Sequence, residues 1–175
     1  MGSSFIKIRE KGFWANDGFV EAMQLCLINE IEQKKLDSVA WLNGFKLELS
    51  LQSLPLINGG MSMQLEEFLT DFQRKETIIE LIDSICDKIE TYNDFLTGEN
   101  LHRFRKRAMV LLKESRKIQL ANESDFTESV NEAGWKDSAI HEVKERYLHS
   151  FKLLKSLIKG KLETGSSSPI DYWNY

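Results

Sequence analysis

The chain lacks an apolar run long enough to span a membrane. Its longest candidate, Phe19 to Ile31, is broken by Glu21, Gln24, Asn29 and Glu30, and a spanning helix needs roughly 20 consecutive apolar residues. The opening Met1-Gly2-Ser3-Ser4-Phe5 has no basic start, apolar run or small-residue cleavage site, so no secretory signal is read and a cytoplasmic location is expected. Cysteine is scarce. Cys26 and Cys86 fall among apolar residues at helical spacing, which predicts free thiols acting as small hydrophobes rather than a disulfide framework. Positive charge is not in excess: 23 Lys and Arg stand against 27 Asp and Glu, a net charge of -4. That balance weighs against nucleic acid as a partner and favours a basic protein. Absent too are an internal repeat, a nucleophile elbow, a phosphate loop and a dinucleotide fingerprint, so neither catalysis nor a cofactor is expected.

What is present describes one folded domain. The 175 residues, 42% hydrophobic and 29% charged, are enough to bury a core without metal or disulfide staples. The expected fold class is all-α, a single-domain helical bundle over residues 1–162 with a short extended N-terminal segment. Phe5-Ile6-Lys7-Ile8-Arg9 alternates with the period of a half-buried strand and reads as an extended lead-in that Gly12 ends. Asn16 or Asp17 can cap the next helix, which runs to about Lys35 and is apolar around most of its circumference, the pattern of a central helix.

Residues 38–54 admit two readings. Phe45, Leu47, Leu49 and Leu51 alternate with polar residues beside a hairpin signal at Asn43-Gly44, whereas Trp41, Leu42, Phe45 and Leu49 share one helical face. The helix is favoured, since Leu, Lys, Glu and Gln are good helix formers. Pro55 and Asn58-Gly59-Gly60 predict a loop, followed by a short amphipathic helix with Leu65, Phe68, Leu69 and Phe72. Ile78, Ile82, Ile85, Ile89, Tyr92 and Leu96 recur at steps of three and four, predicting one long helix over 75–96 that Gly98 stops. The short connection to a helix over 99–120 implies an antiparallel pair. A polar connection follows over 122–134, and a last long helix starts near Asp137 or Ser138 and runs to just before Gly160. Residues 163–175 read as a Gly/Ser linker and an aromatic tail whose Tyr172 and Trp173 are expected to dock on the bundle or on a second copy.

Several constellations could carry chemistry. His141, Glu145 and His149 stand at i, i+4 and i+8, a column that could present metal ligands, yet no second cluster completes a site and a solvated flank explains it as well. Arg146 and His149 are too close for the usual spacing in helical nucleases. The run His102-Arg103-Phe104-Arg105-Lys106-Arg107, with Lys113, Arg116 and Lys117, predicts a helix with a positive exposed side. The sharpest feature is acidic. Glu76, Glu80, Asp83, Asp87, Glu90 and Asp94 lie within roughly 40° of one helical line opposite the isoleucines, with no Lys or Arg on the line. Like charges at this spacing repel by a few tenths of a kcal/mol each, so the line is a candidate surface for a cationic partner.

The opening Ile6-Lys7-Ile8-Arg9-Glu10-Lys11-Gly12-Phe13-Trp14, the apolar helix, Trp41-Leu42 and the stretch Gly60-Met61-Ser62-Met63-Gln64-Leu65-Glu66-Glu67-Phe68-Leu69-Thr70 form a pattern across the first half of the chain. It resembles small helical immunity proteins encoded beside polymorphic or contact-dependent bacterial toxins. The resemblance implies a protein that binds and neutralises a toxin by occluding its surface, and it carries no active-site residues with it. The alternatives are a helical interaction module unrelated to toxins and a helical nuclease or metal-dependent hydrolase. The expected partner is a basic toxin domain, with neither nucleic acid nor membrane involved and homo-oligomers left open.

Overall fold

A computed structural model describes residues 3–53, 61–115 and 144–162. The N-terminal segment is more than a lead-in: β1 (Ser3–Ile8) and β2 (Lys11–Asn16) pair as an antiparallel hairpin with Phe5 opposite Trp14 and Ile6 opposite Phe13. The expected end of the strand at Gly12 is corrected. Gly12 sits inside β2, where an added Cβ would stand 2.4 Å from the Ile6 carbonyl oxygen and 2.7 Å from the Phe5 ring. The turn is made by Arg9-Glu10, with Arg9 at φ 54°, a conformation that the residue types did not announce.

Helix α1 (Asp17–Gln33) starts at Asn16, whose side-chain oxygen accepts from the Gly18 amide at 2.8 Å. Every residue from Val20 to Ile28 is buried. The helix is the centre of the molecule, touching α2 (Ala40–Gln52), α4 (Phe72–Thr91), α5 (Gly98–Glu114) and α6 (Lys144–Ile158). The ambiguous stretch resolves as helix α2, burying Leu42, Phe45 and Leu49. Its Asn43-Gly44 lies within the helix, and the Phe68 ring of α3 (Leu65–Phe68) packs 5.3 Å from that of Phe45, close to Gly44.

Three boundaries differ from expectation. Phe72 does not join α3; it opens α4, where Asp71 caps the helix by accepting from the Arg74 amide at 2.9 Å. Helix α4 ends at Thr91 because Tyr92 turns extended (φ -111°, ψ 114°), well before Leu96. Gly98 stops nothing: it is the first residue of α5, capped by Thr97.

The isoleucine face is nevertheless buried as expected, with Ile78, Ile82, Ile85 and Ile89 in the core. The expected antiparallel pairing of the two long helices is replaced by another arrangement. Helix α4 packs on α1 and α6, whereas α5 packs on α1 and α2, so the central helix separates them. An apolar circumference on α1 requires neighbours on all sides, and it takes both of these. Helix α6 buries Tyr147, Phe151, Leu154 and Ile158 and closes the fold against the hairpin. Gly160 ends it at φ 69°. The expected loop at 58–60, the connection 122–134 and the tail with Tyr172 and Trp173 lie outside the described residues.

Candidate functional site

Helix α4 holds its isoleucines against α1 and therefore turns the opposite side outward. On that side Glu80, Asp87 and Glu90 are exposed and Glu76 is half-buried. None of these carboxylates forms an ion pair among the described residues. Asp83 differs: its Oδ1 is held by Lys155 of α6. Asp94 leaves the line altogether, because the helix has ended; it is exposed in the connection to α5, and its backbone carbonyl accepts from Asn100 Nδ2 at 2.6 Å.

Among the described residues, the line is thus bordered by cations on the flank that faces α6. Lys144 Nζ lies 3.4 Å from the Glu90 carbonyl oxygen, and Lys155 sits at Asp83. Reading one helix in isolation missed these lysines because they come from a neighbour across the fold.

One residue of this surface was not assigned to it from sequence. Phe72 is 76% exposed and precedes Glu76 and Glu80 by four and eight positions, so it shares their line. Its three-and-four spacing with Leu65, Phe68 and Leu69 directed it to a core face. The i, i+4, i+8 relation to the acids was the signal available.

Carboxylates elsewhere behave differently. Glu21 of α1 is buried against Arg105 of α5, whose Nε donates to Oε1 at 2.6 Å. Burial raises the Glu21 pKa above the usual carboxylate range, and the charge and hydrogen bond of Arg105 oppose that rise. Glu30 is buried as well and accepts from Ser84 Oγ at 2.7 Å and from Lys88, with Lys34 at 3.7 Å. Glu32 pairs with Arg107 at 3.2 Å and Lys46 at 3.5 Å.

These pairs thin the expected positive side of α5 and leave Arg103, Lys106, Arg107 and Lys113 exposed on it. Arg105 is buried, Arg107 is taken by Glu32, and Arg103 stacks over Phe104 at 5.6 Å. Lys106 remains exposed. The ordinary proton affinity of His102 is lowered by burial and by Lys106 and Arg105. Arg116 and Lys117 lie outside the described residues.

His141 also lies outside the described residues, while Glu145 and His149 are exposed on α6. Among the described residues no group of three His, Cys, Asp or Glu gathers as a metal site. Cys26 is buried and Cys86 partly so. Burial pushes the Cys26 thiol up strongly, and burial followed by the nearby Asp83 pushes Cys86 up to about 11, so both thiols are protonated near neutrality. No helix among the described residues is long and apolar enough to cross a membrane. No family model, curated protein or solved structure matches the chain.

Proposed function

We propose that the chain is an immunity-type binding protein that neutralises a toxin by covering a basic surface with the outer face of α4. The observation that carries this reading is the row of exposed carboxylates at Glu80, Asp87 and Glu90, with Glu76 beside them, that no described cation answers. Mutual repulsion along the row costs some stability, and a cationic partner converts that cost into attraction. Such complementarity acts mainly on association rate and on the rejection of wrong partners, which suits an inhibitor that must reach a toxin before it acts. Phe72 supplies an exposed aromatic group at one end of the row, the residue class enriched at the energetic centres of interfaces.

The test is a pull-down from the native host with the adjacent open reading frame co-expressed, comparing the wild type with the triple variant Glu80→Lys, Asp87→Lys, Glu90→Lys. The expected result is capture of the adjacent product by the wild type and its loss from the variant, with both proteins equally folded. Capture by both alike moves the docking surface away from α4. Capture by neither removes the immunity reading.

A further inference from the structure

A second segment accompanies the outer edge of β1. The two-residue turn makes Ile8–Lys11 the closing hydrogen-bonded pair, so Ile6–Phe13 and Ser4–Ala15 also bond across the ladder. The backbone amides and carbonyls of Phe5 and Lys7 therefore point away from β2. On that side residues 61–66 are fastened to β1 and its turn at two points. The Met61 amide donates to Ser4 Oγ at 2.6 Å, and the Arg9 amide donates to the Glu66 carboxylate. The fastenings stand five residues apart on either chain, so the two chains run in the same direction. They form no ladder: among the described residues the sheet holds β1 and β2 alone.

Between the fastenings the chains part around a cavity of about 210 Å³, lined by residues 5–7 and 62–67 and by none of β2. Its base is apolar, with Ile6, Met63 and Leu65 buried, and the part-exposed Phe5 ring forms a wall. The opposite wall is held in place. Gln24 Nε2 donates to the Ser62 carbonyl at 2.8 Å, and Ser62 Oγ accepts from the Gln64 amide at 3.2 Å. Gln64 stands at φ 47° and Arg9 at φ 54°, left-handed backbone that is uncommon for such residues and has to be sustained by its surroundings. The rim carries more negative than positive charge. Glu66 and Glu67 are exposed there with Lys7, and none of the three forms an ion pair among the described residues.

These features select among ligands. The volume is below the roughly 300–1,000 Å³ of a cofactor or drug-sized site, and the fastenings at both ends stop an extended segment from lying along β1. A single side chain entering from the rim fits the space. The carbonyl oxygens of Phe5 and Lys7 and the carboxylates of Glu66 and Glu67 call for a tip that donates and is positively charged. A gap between two chains with an aromatic wall favours a flat cation that can stack, which describes a guanidinium better than an ammonium. Lys7 is the opposing charge, on a stem long enough to turn outward.

We propose that this cavity is a socket for one arginine side chain presented by a protein partner. The guanidinium donates to the edge carbonyls of β1 and to Glu66 and Glu67, and the stem lies against Phe5, Met63 and Leu65. The socket rests on the reading of the chain as a binder of a basic protein and adds a point of attachment outside α4.

Titration of the full chain with N-acetyl-arginine amide, followed by backbone amide shifts in two-dimensional NMR, tests the socket with no partner present, so its outcome is independent of the α4 row. The amides of Phe5, Lys7 and residues 62–67 should shift together, with half-saturation at about 1 mM for a ligand of this size. N-acetyl-citrulline amide, of the same shape without the charge, should bind at least about fivefold more weakly, and N-acetyl-lysine amide about threefold more weakly. Glu66→Gln combined with Glu67→Gln keeps an acceptor for the Arg9 amide and removes both charges. In that variant, with a spectrum as well dispersed as the wild type's, the arginine derivative should bind no more than about twofold better than the citrulline derivative. No saturation up to about 20 mM, shifts centred on α4 or elsewhere, a citrulline or lysine derivative bound as tightly, or an unchanged preference in the double variant would each overturn the proposal.

Discussion

Helices α1 and α4 both carry a series of carboxylates, and the fold answers them in opposite ways. On α1, Glu21, Glu30 and Glu32 meet Arg105, Lys88, Lys46 and Arg107, all contributed by other elements. On α4, Glu76, Glu80, Asp87 and Glu90 meet no described cation, and Asp83 alone has one. A carboxylate that leaves water must be paired or neutralised, whereas one that stays in water need not be. The pairs on α1 are therefore a condition of packing a central helix with acids in its sequence. The row on α4 is under no such condition, which leaves it available to a partner.

The comparison is broken most severely at Arg105. Arg105→Leu removes the cation from a buried pair and should destabilise the protein by about 3–5 kcal/mol, measured by urea denaturation. A loss below about 1 kcal/mol, the value of an exposed pair, would show that Glu21 and Arg105 are not held together away from water. Next in size is the opposite face of α4: Ile82→Ala or Ile85→Ala should cost about 2–5 kcal/mol, since both side chains are fully buried. A loss below about 0.5 kcal/mol at both positions would contradict the burial of that face.

Glu21 sharpens the contrast through pH. Because burial raises its folded pKa, the folded state holds the Glu21 proton more readily than the unfolded chain. The contribution of this group is fully present below the unfolded carboxylate value and declines as pH rises through the folded one. Relative to Glu21→Gln, which does not titrate, the wild type should lose stability as pH rises from the acidic side of the carboxylate range toward neutrality. A difference that grows in favour of the wild type over this interval would mean that Arg105 outweighs burial.

The smallest effects belong to the exposed flank. Lys155→Ala should cost no more than about 1 kcal/mol, because its pair with Asp83 is partly solvated. Phe72→Ser should leave the melting temperature within a degree or two, about the size expected of an exposed change. A drop several times larger would place Phe72 in the folding core rather than on a surface kept for contact.

Much of the helical architecture was legible because periodicity reports which face of a helix leaves water. The buried isoleucines of α4 and the all-round apolar α1 follow from residue spacing, and the helical reading of Ala40–Gln52 from spacing joined to the helix propensity of Leu, Lys, Glu and Gln. What escaped depends on contacts between distant segments. The strand β2 was hidden because Gly12 signals an ending, and the Ile6 carbonyl and the Phe5 ring beside it explain why a glycine belongs there. The neighbours of α4 and α5 were misjudged because a short connection suggests an adjacent pair, whereas the central helix inserts between them. Within the candidate surface, five of the six acids do share one helix. The sixth, Asp94, falls past an end set by the extended backbone of Tyr92, and the lysines that border the row come from α6. In the basic run of α5, the burial of Arg105 against Glu21 and the pairing of Arg107 with Glu32 were not legible because those acids lie far away in sequence.

The central claim is that the α4 row captures a cationic partner, and the association rate across a salt series tests it most directly. With the product of the adjacent open reading frame as the partner, the wild-type rate should fall as salt is raised, since screening acts at about 10 Å in 0.1 M salt. The variant Glu80→Lys, Asp87→Lys, Glu90→Lys should associate at least about tenfold more slowly at low salt and lose that salt dependence. Equal rates and equal salt slopes for the two proteins would contradict the claim and leave the row as a solvated face of the bundle.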